Sequence, residues 1–151
     1  MKREYPQSAI FGVGAVILDR GKVLLARRTH APMRGKWTLP GGAVELGETS
    51  AAAIVREVLE ETGLTVRPIA LVEIVDRIDR HAGRIRFHYV IADFLCLVEG
   101  GQAQASSDAS AVQWLRPAQW RAGALNLDQV TVRVLEKAWR MARELRQKGN
   151  R

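Results

Sequence analysis

The chain has 151 residues, of which 47% are hydrophobic and 26% charged; this suits a globular domain with a buried core and excludes a disordered, fibrous or low-complexity polypeptide. No apolar run approaches the ~20 residues needed to cross a bilayer, and the polar stretch Met1 to Ser8 lacks the apolar centre of a signal peptide, so one cytoplasmic domain over 1–151 with no membrane partner is expected. A net charge of +7 favours anionic partners, whether nucleotides, phosphorylated metabolites or nucleic acid, without choosing among them.

Ala9 to Leu18, rich in Ile and Val, predicts a strand; Asp19-Arg20-Gly21-Lys22 is a hairpin signal and Val23 to Arg28 the partner strand. Thr29 to Lys36, with Pro32 and Gly35, reads as a loop. Trp37-Thr38-Leu39 is a short extended piece ended by Pro40-Gly41-Gly42. A helix follows, with Thr49 or Ser50 to cap its start and Gly63 placed for a left-handed end. Val66 to Arg80 and Arg84 to Val98 predict long strands joined at His81-Ala82-Gly83, and Glu99 to Ser107 a loop. Cys96, the only cysteine, lies in the apolar stretch Val90 to Val98 and reads as a small buried hydrophobe. It excludes an intramolecular disulfide, and His30, His81 and His88 show no metal-ligand spacing.

Ala111 to Leu115 is a short strand, and Pro117 opens a short helix through Trp120. Asp128 to Lys148 is the longest helix. Val130, Val134, Ala138, Met141, Ala142 and Leu145 form its apolar stripe, and Lys137, Arg140, Arg143 and Arg146 a solvated basic face. The sum is an α+β protein, an α/β/α sandwich around a mixed sheet.

Chemistry concentrates in Gly42 to Leu64. On a helix, Glu57 and Glu61 are four residues apart and share a face, with Glu60 on its flank. Ala51, Val55, Val58 and Thr62 point the other way, toward a core. Clustered carboxylates repel one another, and a hard divalent cation with oxygen ligands relieves that repulsion. Pro40-Gly41-Gly42 leaves a backbone without side chains at 41 and 42, so that an ion or phosphate can come close. Arg56 is placed to pair with Glu48, tying the loop to the helix.

Gly42, Glu48, Arg56, Glu57, Val58, Glu60, Glu61, Gly63 and Leu64 together fill the pattern of the Nudix box without a gap, and the chain resembles that family. The resemblance implies a Nudix fold and a hydrolase that cuts a P–O–P bond in a nucleoside diphosphate linked to another moiety. It implies Mg²⁺ (or Mn²⁺) held by Glu57, Glu61 and the Gly41 carbonyl, with Glu60 as a further ligand or a holder of metal-bound water. Arg56 and Glu48 would organise the ligands, Glu48 reaching a metal in some members. The general base is either a box glutamate or an acid from a loop near the last strand, where Asp108 stands. Arg27 or Arg28, at the end of the second strand, is expected to hold a phosphate. Trp37 either stacks on a base or fills the core.

Substrate remains open between ADP-ribose and a nucleoside triphosphate. The marks of the diadenosine polyphosphate, NADH and coenzyme A subfamilies are missing, and where ADP-ribose hydrolases often carry a proline downstream of the box this chain has Ile78-Asp79-Arg80. An RNA 5′-end pyrophosphohydrolase and a catalytically silent nucleotide-binding module are the alternatives. A nucleic-acid-binding domain has no recognition motif to support it. Homodimers are common in the family, and the long strands could build one.

Overall fold

The computed structural model describes residues 2–149. Its first strand, β1 (Ile10–Asp19), is buried on both faces: Val13, Ala15 and Ile17 lean one way and Val16 the other, all at most 3% exposed. Such two-sided burial explains the nearly continuous apolar sequence. Arg20 and Gly21, with φ of 50° and 77°, make the two-residue turn that matches strand twist, and β2 (Lys22–Arg28) returns antiparallel.

The two strands then part. They pair directly only at Leu18–Val23 and Asp19–Lys22. Beyond that point β3 (Trp37–Thr38) takes the edge of β2 and β4 (Gly41–Ala43) takes the edge of β1, so the sheet forks. One arm continues through β5 (Thr65–His81) and β6 (Arg84–Gly100), with β6 lying parallel to β1 from Ile10–Tyr89 to Leu18–Leu97. The other arm ends on β7 (Ala109–Leu115), antiparallel to β2. Pro40-Gly41-Gly42 therefore leads into a short strand, where the sequence predicted only a stop.

Helix α1 (Ser50–Thr62) covers one face, with Ala53, Ile54 and Val58 against Val13, Ala15, Ile17, Leu24, Ala92 and Cys96. The other face is covered by α2 (Pro117–Arg121), a 3₁₀ turn at Ala124–Asn126, and α3 (Gln129–Gly149), whose Val134, Leu135 and Ala138 meet Val16, Leu25 and Leu95. The α/β/α sandwich with a mixed sheet is the fold expected. Two details differ. Ala51 is exposed, because the stripe facing the sheet is Ile54, Val58, Glu61 and Thr62, spaced i, i+4, i+7, i+8. Leu145 is 42% exposed, because the buried stripe of α3 ends with Met141 and Ala142.

Ion pairs fix α3 over β5: Arg133 and Lys137 reach Glu73 at 2.9 and 3.8 Å, and Arg77 reaches Asp128 at 2.6 Å. Among the described residues no helix is long and apolar enough to cross a membrane.

Candidate active site

A cleft of about 370 Å³ opens at the fork. Its acidic wall is built from β4 and α1. Gly41 and Gly42 run beside Gly14 and Val13 of β1, and neither position has room for a side chain. A methyl at 41 would strike the β1 backbone, and a methyl at 42 would strike the Glu57 carboxylate. Bare backbone here is what lets two carboxylates of α1 reach the sheet.

Glu61 stands on the sheet-facing stripe of α1 and is 6% exposed. Its Oε2 accepts a hydrogen bond from the Gly41 amide at 3.0 Å. Burial pushes its pKa up to about 7; the nearby charges of Glu57 and Asp108 add to the rise, and the Gly41 amide and Arg28 oppose it. Glu57 also sits above its ordinary value, chiefly through burial, although Arg56 pulls the other way. Glu60 stands apart on the rim, its side chain 54% exposed, so the three acids are not one even ridge.

Arg56 ties this wall together. Its Nε and Nη2 donate to the two carboxylate oxygens of Glu48 at 2.7 and 2.9 Å, the paired geometry in which a guanidinium binds best. Nη1 donates to Glu57 at 2.9 Å and Glu60 at 3.3 Å, and Nη2 also donates to the Ala43 carbonyl at 3.1 Å. Glu48 accepts a further bond from the Glu45 amide at 3.1 Å. Arg56 first, and that amide second, hold the Glu48 pKa down to about 2. The expected tie between the loop and the helix is present.

Across the opening, Arg28 turns inward and donates from Nε to the Pro32 carbonyl at 2.7 Å. Arg27 does not line the cleft; its Nε donates to Ser110 Oγ at 2.8 Å on the surface. Successive strand residues leave on opposite faces, so only one of the two arginines can enter. Trp37 packs against the core beneath α3 and is also absent from the cleft wall. Asp108, in the loop before β7, does reach the cleft, with His30 Nε2 at 3.6 Å from its Oδ1.

The floor holds residues the sequence reading passed over: Arg77, Tyr89, Ile91, Asp93 and Thr131. Asp93 had one visible signal, a lone acid inside the apolar stretch Val90 to Val98.

The residues offer oxygen donors suited to a hard cation. Among the described residues no three carboxylate, imidazole or thiolate groups already converge as a metal cage. Mg²⁺ does not require one, since it is commonly held by one or two carboxylates together with water and substrate phosphate. A pair of acids, Glu61 buried and Glu57 half-buried, beside bare glycine backbone fits that mode.

The family model for the NUDIX domain matches residues 10–136. The chain belongs to the Nudix family. Its Nudix box, residues 42–64, supplies the carboxylates and the arginine of the acidic wall, and Gly41 stands just before it. An ADP-ribose pyrophosphatase of Methanocaldococcus jannaschii is 37% identical over 102 residues, covering 68% of this chain and 59% of that protein. A MutT-like protein of Streptomyces ambofaciens is 35% identical over 112 residues, covering 74% of this chain and 66% of its own length. This chain thus spans less than two thirds of either relative. The crystal structure of a MutT Nudix hydrolase from Burkholderia pseudomallei superposes with a TM-score of 0.73 at 30% identity, over 87% of this chain and 98% of that one.

Proposed function

We propose that this Nudix protein is a divalent-metal-dependent pyrophosphohydrolase that cuts a P–O–P bond in a small nucleotide, of the ADP-ribose or nucleoside-triphosphate kind. The observation that carries the reading is the Glu57–Glu61 pair, pressed against Gly41 and Gly42 and facing a cleft that Arg28 enters. Two acids raised in pKa by burial are costly unless a cation shares their charge. The name of the Methanocaldococcus jannaschii relative supports ADP-ribose.

Glu57, Glu61 and the Gly41 carbonyl would hold Mg²⁺ (or Mn²⁺), with Glu60 on the rim as a further ligand or a holder of bound water. When bound, the ion neutralises diphosphate charge and acidifies a water. Arg56 aims Glu57 and fixes Glu48, so the acids need little rearrangement. Arg28 binds a substrate phosphate as a fork-shaped donor. Asp108, facing Glu61 from the loop before β7, removes the proton from the attacking water, with a box glutamate as the alternative base.

The test is turnover of ADP-ribose, nucleoside triphosphates and oxidised nucleoside triphosphates with Mg²⁺ and Mn²⁺. Glu57→Gln and Glu61→Gln should each lose on the order of 100-fold in kcat while keeping the fold. Undiminished turnover in both variants would remove the site. Tight nucleotide binding by the wild type, with no cleaved nucleotide product formed, would make the protein a silent binding module instead.

A further inference from the structure

One buried acid in the cleft has no part in the chemistry above. Asp93 lies on β6, 5% exposed, on the floor away from α1. The parallel register sets it beside Gly14, where a methyl would collide with its Oδ1. The fold thus leaves a gap in β1 that this carboxylate fills.

Its surroundings leave it alone. Arg77, the nearest cation, already donates to Asp128 at 2.6 Å and to Thr131 at 3.3 Å. Glu73, directly opposite on β5, is held by Arg133 and Lys137. Among the described residues no hydrogen bond or ion pair reaches the Asp93 carboxylate, and none of its oxygens is sealed away from the cleft. Ile91, on the same face of β6, gives it an apolar neighbour. A desolvated, unpartnered acceptor costs free energy that a ligand with matching donors recovers and a ligand without them does not. The same acid repels phosphate, so it also sets which end of a substrate lies at each end of the cleft.

We propose that Asp93 is the specificity-determining contact for the unhydrolysed part of the substrate, accepting hydrogen bonds from two adjacent donors. Two sources present such a pair: the N1–H and 2-amino edge of guanine, and the 2′,3′-diol of ribose. The inference deepens the pyrophosphohydrolase reading and rests on it for the nature of the ligand.

Asp93→Asn keeps the shape and removes half of the acceptor capacity. Two comparisons separate the sources: GTP against ITP for the base, and ATP against 2′,3′-dideoxy-ATP for the sugar. The wild type should favour the full donor pair in one comparison by ~10-fold or more in kcat/KM, mostly through KM. In Asp93→Asn that preference should fall to about 2-fold, with kcat held. Binding of the unphosphorylated nucleosides, followed by NMR in wild type and variant, reads the same contact without metal or turnover. Turnover with no preference in either comparison, or with one unchanged in Asp93→Asn, would overturn the role of Asp93 and spare the hydrolase. If nothing is turned over, the hydrolase reading fails; nucleoside binding insensitive to Asp93→Asn would then overturn this role separately.

Discussion

Burying a carboxylate leaves a mark on the pH dependence of stability. Asp93 is pushed from its ordinary 3.8 to about 7, and Glu61 from 4.5 to about 7, both chiefly by burial. Between those limits the folded chain keeps protons that the unfolded chain releases. The stabilisation is therefore complete below about pH 4 and is lost as pH rises through about 7. Glu48, Asp128 and Glu136 have lowered values, so they are ionised at both ends of a comparison between about pH 5 and pH 8. Denaturant unfolding should show wild type losing stability over that range. Asp93→Asn should lose less, and exceed wild type by about 1–3 kcal/mol near pH 8. Equal pH slopes would mean that Asp93 is not a desolvated acid. The Glu48–Arg56 tie was legible in the sequence because both lie in one short stretch around a helix start. Asp93 was not, because its burial depends on a strand far away in the chain and on the empty space at Gly14.

Among the elements, β4 has the largest influence for its size. Its glycines meet different neighbours, which gives a pair of contrasting substitutions. At 42 a methyl meets the movable end of Glu57. Gly42→Ala should keep Tm within about 2 °C of wild type and lose most activity, as Glu57 swings out. At 41 the methyl meets the backbone of Val13 and Gly14, which cannot swing aside. Gly41→Ala should lower Tm by more than about 4 °C. Thermal unfolding and turnover of the two variants check both, and equal Tm losses would contradict the contrast. The helices and long strands could be read from periodicity and from turn residues such as Arg20-Gly21. β4 could not, since three small residues carry no pattern, and only its pairing with β1 makes it a strand. On α1 the apolar spacing turns Val58 and Thr62 inward, as the structure has them, but Ala51 is exposed, and the shared face of Glu57 and Glu61 does not reveal that Glu61 itself faces the sheet.

For the whole molecule, an ion that binds only the folded chain raises its stability by mass action. At Mg²⁺ of ten times its dissociation constant the gain is about 1.4 kcal/mol, or about 3–6 °C in Tm. That shift should appear near pH 8, shrink near pH 5 as the acids protonate, and vanish in Glu57→Gln/Glu61→Gln. A shift retained in the double variant would place the ion elsewhere. Layer order was foreseeable from the run of strands and helices and from the complete box. The fork was not, because it follows from how β1 divides one edge between two partners.

The parallel seam between β1 and β6 also has a consequence for synthesis. Its halves lie roughly eighty residues apart, a separation that slows folding. As the polypeptide emerges from the ribosome, β1, β4 and α1 come out long before β6. Until β6 arrives, Val13, Ala15 and Ile17 lack a neighbour along one border, and Gly14 faces no acid. The acidic helix α1 is thus translated early but gains its finished floor late, so a nascent intermediate exposes apolar surface that the finished sheet covers.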